Sequence, residues 1–157
     1  INVVAWTSVF VFVLDRIGSV ATVNGRSMQP TLNPDSNQLV RDVLLLNKYS
    51  LSTRAWKRGD VVTLRSPTDP DHVVSKRIIA LDSDYVIPDH RSAFVRRAGL
   101  APGQAIRIPK GHVWVEGDAG LHSRDSNEYG PIPVGLITSK IAAVVWPLSR
   151  IGWVGGG

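Results

Sequence analysis

The sequence predicts a mainly β domain, a barrel or sandwich, behind one apolar N-terminal segment. Short β-branched and apolar runs recur from Val20 to Trp146. Gly, Pro or Asp punctuation separates them, as consecutive antiparallel strands require. Residues 1–14 are uncharged and rich in Val and Phe, and Asp15 and Arg16 end that segment abruptly.

The 157 residues suffice for one domain with a real core. A 43% hydrophobic content against 20% charged residues is apolar for a small soluble chain. The absence of cysteine excludes disulfides, thiolate zinc sites and a cysteine nucleophile. A net charge of +5 favours anionic surroundings, nucleic acid or acidic lipid. The basic residues are scattered, so charge alone does not choose between them.

As a helix, residues 1–14 would span about 21 Å, short of the roughly 20 residues a bilayer crossing needs. The expectation is an incomplete membrane anchor over residues 1–18, continued upstream of Ile1, with a core helix or a signal-peptide remnant as alternatives. Residues 19–150 are then the β domain. Val43–Leu46 is a short apolar strand, and Asp60–Leu64 follows an Arg58-Gly59 turn. Val73–Leu81 is bounded by Pro67, Asp69 and Pro70 upstream and by Asp82-Ser83-Asp84 downstream. Tyr85–Ile87, Ile106–Ile108, Val113–Val115 and Ile137–Trp146 continue the pattern. Asp89–Gln104, with three arginines, Pro102 and two glycines, reads as a mobile loop or insertion, and residues 151–157 as a flexible tail.

Three stretches carry chemistry. In Asn24-Gly25-Arg26-Ser27-Met28-Gln29-Pro30-Thr31-Leu32-Asn33-Pro34, a serine sits between a glycine and a proline-stiffened turn. Gly25 permits angles other residues avoid, and Pro30 and Pro34 fix φ, so the stretch predicts a rigid loop that holds Ser27. In Val73–Leu81, strand alternation sets Lys76 on one face with Val74, Ile78 and Ala80. A lysine there either snorkels at a sheet edge or is desolvated, and desolvation disfavours the ammonium form. Bringing its pKa from about 10.4 to near 7 corresponds to roughly 4–5 kcal/mol. A neutral amine of that kind takes the proton of a serine hydroxyl. The third stretch, Glu116 to Asn127, is dense in hydroxyls and carboxylates that hold a loop through bonds to backbone. Ser123 is the candidate to orient Lys76, with Asp118 and Asp125 bracing the loop.

Taken in order, Ser27-Met28-Gln29-Pro30-Thr31, Arg58-Gly59-Asp60-Val61-Val62, Lys76-Arg77-Ile78-Ile79-Ala80 and Gly117-Asp118…Ser123-Arg124-Asp125-Ser126 resemble the boxes of type I signal peptidases, membrane-anchored Ser/Lys endopeptidases. Bacterial members usually carry Asn and Arg after the Gly-Asp pair and Arg after the Asp-Ser pair. Here Ala119, Gly120 and Asn127 stand there, which turns the resemblance toward the mitochondrial inner-membrane members. It implies a signal-peptidase-like coiled β-sheet, with Ser27 as nucleophile and Lys76 as general base. Ser123 would orient Lys76, and the Ser27 amide would serve the oxyanion hole on the Gly25 side of the loop, where many bacterial members add a serine hydroxyl. It also implies an extended substrate on a strand edge, small residues at the first and third positions before the cut, and Met28 and Pro30 beside it. Met28 has a core position as its alternative.

The resemblance further implies presequence-bearing precursor polypeptides as substrates. Its implied partners are a related catalytic subunit of the inner membrane protease and membrane lipid. No cofactor is expected. His72, His90, His112 and His122 lack metal-ligand spacing, although His122 beside Ser123 is a rival base. A self-cleaving Ser/Lys regulator would need a DNA-binding segment before Ser27, and the chain has none there. A silent scaffold subunit is the main alternative. Nucleic-acid binding rests on pI alone, with Arg91, Phe94, Arg96 and Arg97 as its thin support.

Overall fold

The structure, a computed structural model, describes residues 2, 6–9, 11, 18–34, 41–53, 55–120 and 123–155. Chain order gives β1 (Gly18–Thr22), β2 (Val43–Asn47), α1 (Tyr49–Thr53), β3 (Val61–Arg65), β4 (Val73–Ala80) and β5 (Tyr85–Val86). There follow α2 (Ala93–Ala98), β6 (Ile106–Arg107), β7 (His112–Glu116), α3 (Ser126–Tyr129), β8 (Ile132–Pro133), β9 (Ile137–Trp146) and β10 (Gly152–Trp153). The mainly β expectation holds, and the predicted strands fall within a residue or two of those observed.

One antiparallel sheet runs β1-β2-β9-β3-β4-β7-β8, and β5 and β6 form a separate ribbon. Register shifts in the β2–β9, β3–β9 and β4–β7 pairings bend it. The sheet curls far enough for β1, at one edge, to face β4 across a shared cleft. β3 lies at the middle and is buried on both faces, which is why it reads as a continuous apolar run. Val61 packs on one side with Met28, Leu32, Leu44, Ile141 and Val144. Val62 and Leu64 pack on the other with Ile78, Val113, Val115 and Ile132. Each such side chain contributes about 1.5–3 kcal/mol on burial.

Two expectations are corrected. Asp89–Gln104 is not simply a loop, because it contains α2. Ser92 caps that helix by accepting from the Val95 amide, Gly99 closes it in the left-handed region at φ 63°, and Val95 is buried. Phe94 packs edge-on against the fully buried Trp114, with ring centroids 5.6 Å apart. The tail expected from residue 151 begins with a strand. Gly152 and Trp153 pair with Val144 and Ala143, on the edge of β9 beyond the end of β3.

Most of the expected anchor lies outside the described residues. Asn2, Trp6–Val9 and Val11 are helical and exposed. No helix among the described residues is long and apolar enough to cross a membrane.

Candidate active site

The Ser27 loop is pinned on both sides. A turn brings the Gln29 amide to the Arg26 carbonyl at 3.1 Å, and the Leu32 amide bonds the Met28 carbonyl at 2.9 Å. Met28 and Leu32 are 2% and 1% exposed, so both anchor the loop in the core. Met28 is thus a core side chain, while Pro30 is exposed. After the turn, Asn33 adopts φ 48° and exchanges two 2.8 Å bonds with Asp42. Arg150 donates to Asp42 at 2.5 Å and to the Thr31 carbonyl at 3.0 Å. Gly25, at φ 98°, has open space around its missing side chain.

Lys76 lies on β4 with Ile78 and Ala80, all three buried. It is 2% exposed, and its amine donates to Ser123 Oγ at 2.6 Å. Burial pushes the Lys76 pKa down, against a smaller upward pull from the Asp125 carboxylate. Ser27 comes to the same place through its backbone. Its carbonyl accepts from the Ala119 amide at 3.0 Å. A Cβ on Gly117 would lie 2.6 Å from the Ser27 carbonyl oxygen and 2.0 Å from Ser123 Oγ, so the two loops converge on one point. Among the described residues the Ser27 hydroxyl has no hydrogen-bond partner.

Asp118 and Asp125 hold this convergence in different ways. Asp118 accepts two bonds from Arg77, at 2.9 and 2.6 Å, and one from Thr31 Oγ1 at 2.5 Å. It thereby joins the Ser27 loop, the Lys76 strand and its own loop. Burial pushes the Asp118 carboxyl up, but the Arg77 and Thr31 hydrogen bonds and the Arg77 charge outweigh it and hold the pKa below the ordinary value. Asp125, 4% exposed, accepts from the Gly117 amide at 3.2 Å and caps α3 through the Asn127 amide. Asn127 itself bonds Glu116 and the Asp89 amide. Asp60 is buried and pairs with Lys140 at 2.7 Å, which fixes the turn before β3.

Sequence reasoning missed Arg77 as the partner of Asp118, although it adjoins Lys76 and so faces the other side of β4. It also missed the Asn33–Asp42–Arg150 set, which no spacing rule predicts. His122 lies outside the described residues. No metal-binding cluster occurs among the described residues.

Asp118→Ala is expected to leave Arg77 and Thr31 without their shared acceptor, at a cost of about 1–3 kcal/mol for a partly buried pair. Denaturant unfolding measures this. Because the folded Asp118 pKa is depressed, its contribution is present above the ordinary carboxylate value near 3.8 and is lost as pH falls through the lowered one.

Two clefts lie beside these elements, one lined by Ser75, the neighbour of Lys76 in β4, and the other by Ser123. One, of about 430 Å³, runs between Ala21–Asn24 and the Val73 and Ser75 half of β4. β7 pairs with β4 only from Arg77 onward, so Val73–Lys76 keep an open edge among the described residues. The other, of about 780 Å³, lies past Gly117 and Ser123 and reaches Ile87 and Ser92.

A curled antiparallel sheet that brings a loop serine and a buried strand lysine to one serine-bearing turn defines the signal-peptidase class. The chain belongs to that family: residues 1–95 match the family described as signal peptidase, peptidase S26. It is similar to mitochondrial inner membrane protease subunit 2 of Schizosaccharomyces pombe, 41% identical over 152 residues, covering 97% of this chain and 78% of the relative. The mouse protein of that name is 42% identical over 87% of this chain and 72% of its own length. Human subunit 1 of the same protease is 36% identical over 89% of the chain and 76% of its length. These relatives place the chain at the mitochondrial inner membrane.

Proposed function

We propose that the chain is a serine endopeptidase that removes sorting presequences from precursors delivered to the intermembrane space, working beside a related subunit. Ser27 Oγ attacks the scissile carbonyl while the Lys76 amine takes its proton. The lysine returns that proton to the leaving amine, and water deacylates the serine ester with Lys76 again as base. Ser123 is the positioning residue for Lys76, and the Ser27 amide serves the developing oxyanion. Substrate lies extended between β1 and the open edge of β4, its backbone completing the curled sheet. Trp146, Leu148, Ile151 and Trp153, all at least half exposed, offer an apolar face toward the bilayer.

The observation that carries this reading is the buried Lys76 amine, bonded to Ser123 at 2.6 Å beside the loop that holds Ser27. A scaffold has no use for a desolvated amine at that point.

The test is cleavage of a presequence-bearing precursor in detergent by the full chain with its related subunit, against Ser27→Ala in the same complex. Loss of the cut in a folded Ser27→Ala complex supports the reading, and an unchanged cut gives the chemistry to the other subunit. The pH profile is a further prediction. Only neutral Lys76 accepts a proton, so the rate rises with pH through the lysine's pKa. That rise is expected below the ordinary lysine value of 10.5.

A further inference from the structure

The alternation along β5 and the residue after it turns apolar side chains outward. Val86 points inward and packs with Ala80, Ile108 and Trp114, so Tyr85 and Ile87 point away from the core. Outward positions of an antiparallel sheet that is solvated on one face ordinarily carry polar side chains, yet these two are 71% and 65% exposed. Ile79 joins them from β4. The β4–β7 register shifts between Ile78 and Ala80, which sets Ile79 at a bulge, exposed between two buried neighbours. Single apolar residues on a surface need no explanation, but these three line one groove of about 600 Å³.

Arg58 and Asp84 line the same groove. The Arg58 guanidinium donates two bonds to the Asp84 carboxylate, at 2.7 and 2.5 Å, and the Leu81 amide holds that carboxylate at 2.8 Å. Arg58 is exposed, and its other three N–H groups make no hydrogen bond among the described residues. An apolar row beside one acid–base pair is self-complementary. Turned by a two-fold axis onto its counterpart, row meets row, and each arginine meets the carboxylate of the other pair. A related subunit supplies such a counterpart, because a subunit 1 relative is similar to this chain along most of its length. A lipid surface fits less well, since it would desolvate the acid–base pair without offering it a partner. None of Trp146, Leu148, Ile151 and Trp153 lines this groove.

We propose that the groove of Ile79, Tyr85 and Ile87, with the Arg58–Asp84 pair, is the surface on which the related subunit docks, in a pseudo-two-fold contact. The identity of the occupant rests on the two-subunit reading above. Tyrosine and arginine are the side chains that most often dominate such contacts, and an apolar centre with a polar rim is the anatomy of a protein interface. Ile87 and Glu116 also line the cleft past Ser123, so the docked subunit borders that cleft.

The experiment co-expresses the full-length chain with its related subunit and measures their association in detergent. Tyr85→Asp and Ile87→Asp should each weaken it at least tenfold while leaving the thermal melt of the isolated chain unchanged. Exchanging the pair, Arg58→Glu with Asp84→Arg, keeps opposite charges within the chain but sets like charges across the contact, so it should weaken association as well. If the exchange unfolds the chain, the two aspartate variants decide. A photoreactive benzophenone side chain in place of Tyr85 should cross-link to the related subunit. Wild-type association in both aspartate variants overturns the surface and keeps the two-subunit reading. Cross-linking to a second copy of this chain, or to lipid alone, also overturns the surface. A wild-type chain that retains no related subunit removes the two-subunit reading and this docking with it.

Discussion

Lys76→Met is expected to abolish presequence cleavage and to raise the melting temperature. Methionine keeps the length and packing of the lysine stem but neither accepts a proton nor carries a charge. General-base catalysis contributes about 10²–10⁴-fold, and loss of a group that activates a nucleophile can cost still more. Stability moves the other way, because the lysine is 2% exposed and burial holds its pKa below 10.5. Between the lowered value and 10.5 the unfolded chain binds more protons than the folded one, so wild-type stability rises with pH there. The methionine variant escapes this penalty. Its advantage should be largest below the lowered pKa and should vanish above 10.5. Thermal melts at a series of pH values check the sign, and a variant that melts lower yet still cleaves would contradict the assignment.

Gly117→Ala is expected to damage the site severely. Its Cβ would meet Ser123 Oγ at 2.0 Å, Ser123 Cβ at 2.5 Å and the Ser27 carbonyl oxygen at 2.6 Å. Two of those three atoms belong to Ser123, the proposed positioning residue for Lys76, and the third is backbone of the proposed nucleophile, so no long flexible end can yield. Overpacking of this kind costs about 1–3 kcal/mol, and a displacement of about 1 Å at reacting groups costs on the order of 100-fold in rate. The expected result is a folded protein with kcat reduced at least 100-fold. Gly120→Ala is the control. It sits three residues away at φ 55° with nothing within 4 Å of its missing side chain, so it should cost stability through strain without crowding Ser123.

Much of this was legible in the chain because local rules and tertiary packing agree. The β4 alternation that puts Lys76 with Ile78 and Ala80 is the alternation that buries all three. Gly25, Pro30 and Pro34 mark a turn, and Met28 and Leu32 tether that turn to the core. Where two signals compete, composition misled. The arginines and glycines of Asp89–Gln104 suggest a loop, yet Ser92 and Gly99 are an N-cap and a left-handed C-cap six residues of helix apart. β10 exists because β9 outruns β3 and leaves backbone groups to be paired, which depends on sheet topology and not on the sequence of residues 152–153. The Asp118–Arg77–Thr31 brace and the Asn33–Asp42–Arg150 set join residues distant in the chain. No spacing rule reaches them. They support the Ser27 loop: the four boxes contain Thr31, Arg77 and Asp118 without showing how these pair, and they do not contain Asn33, Asp42 or Arg150.

The most direct test of the central claim is to catch the serine ester. A presequence-derived peptide ester is turned over by the full-length chain with its related subunit, quenched in acid during turnover, digested, and read by mass spectrometry. The expected result is the substrate's acyl mass on the peptide that contains Ser27, and its loss in Lys76→Met. An acyl group on Ser123, or one confined to the other subunit while this chain stays unmodified, would contradict it.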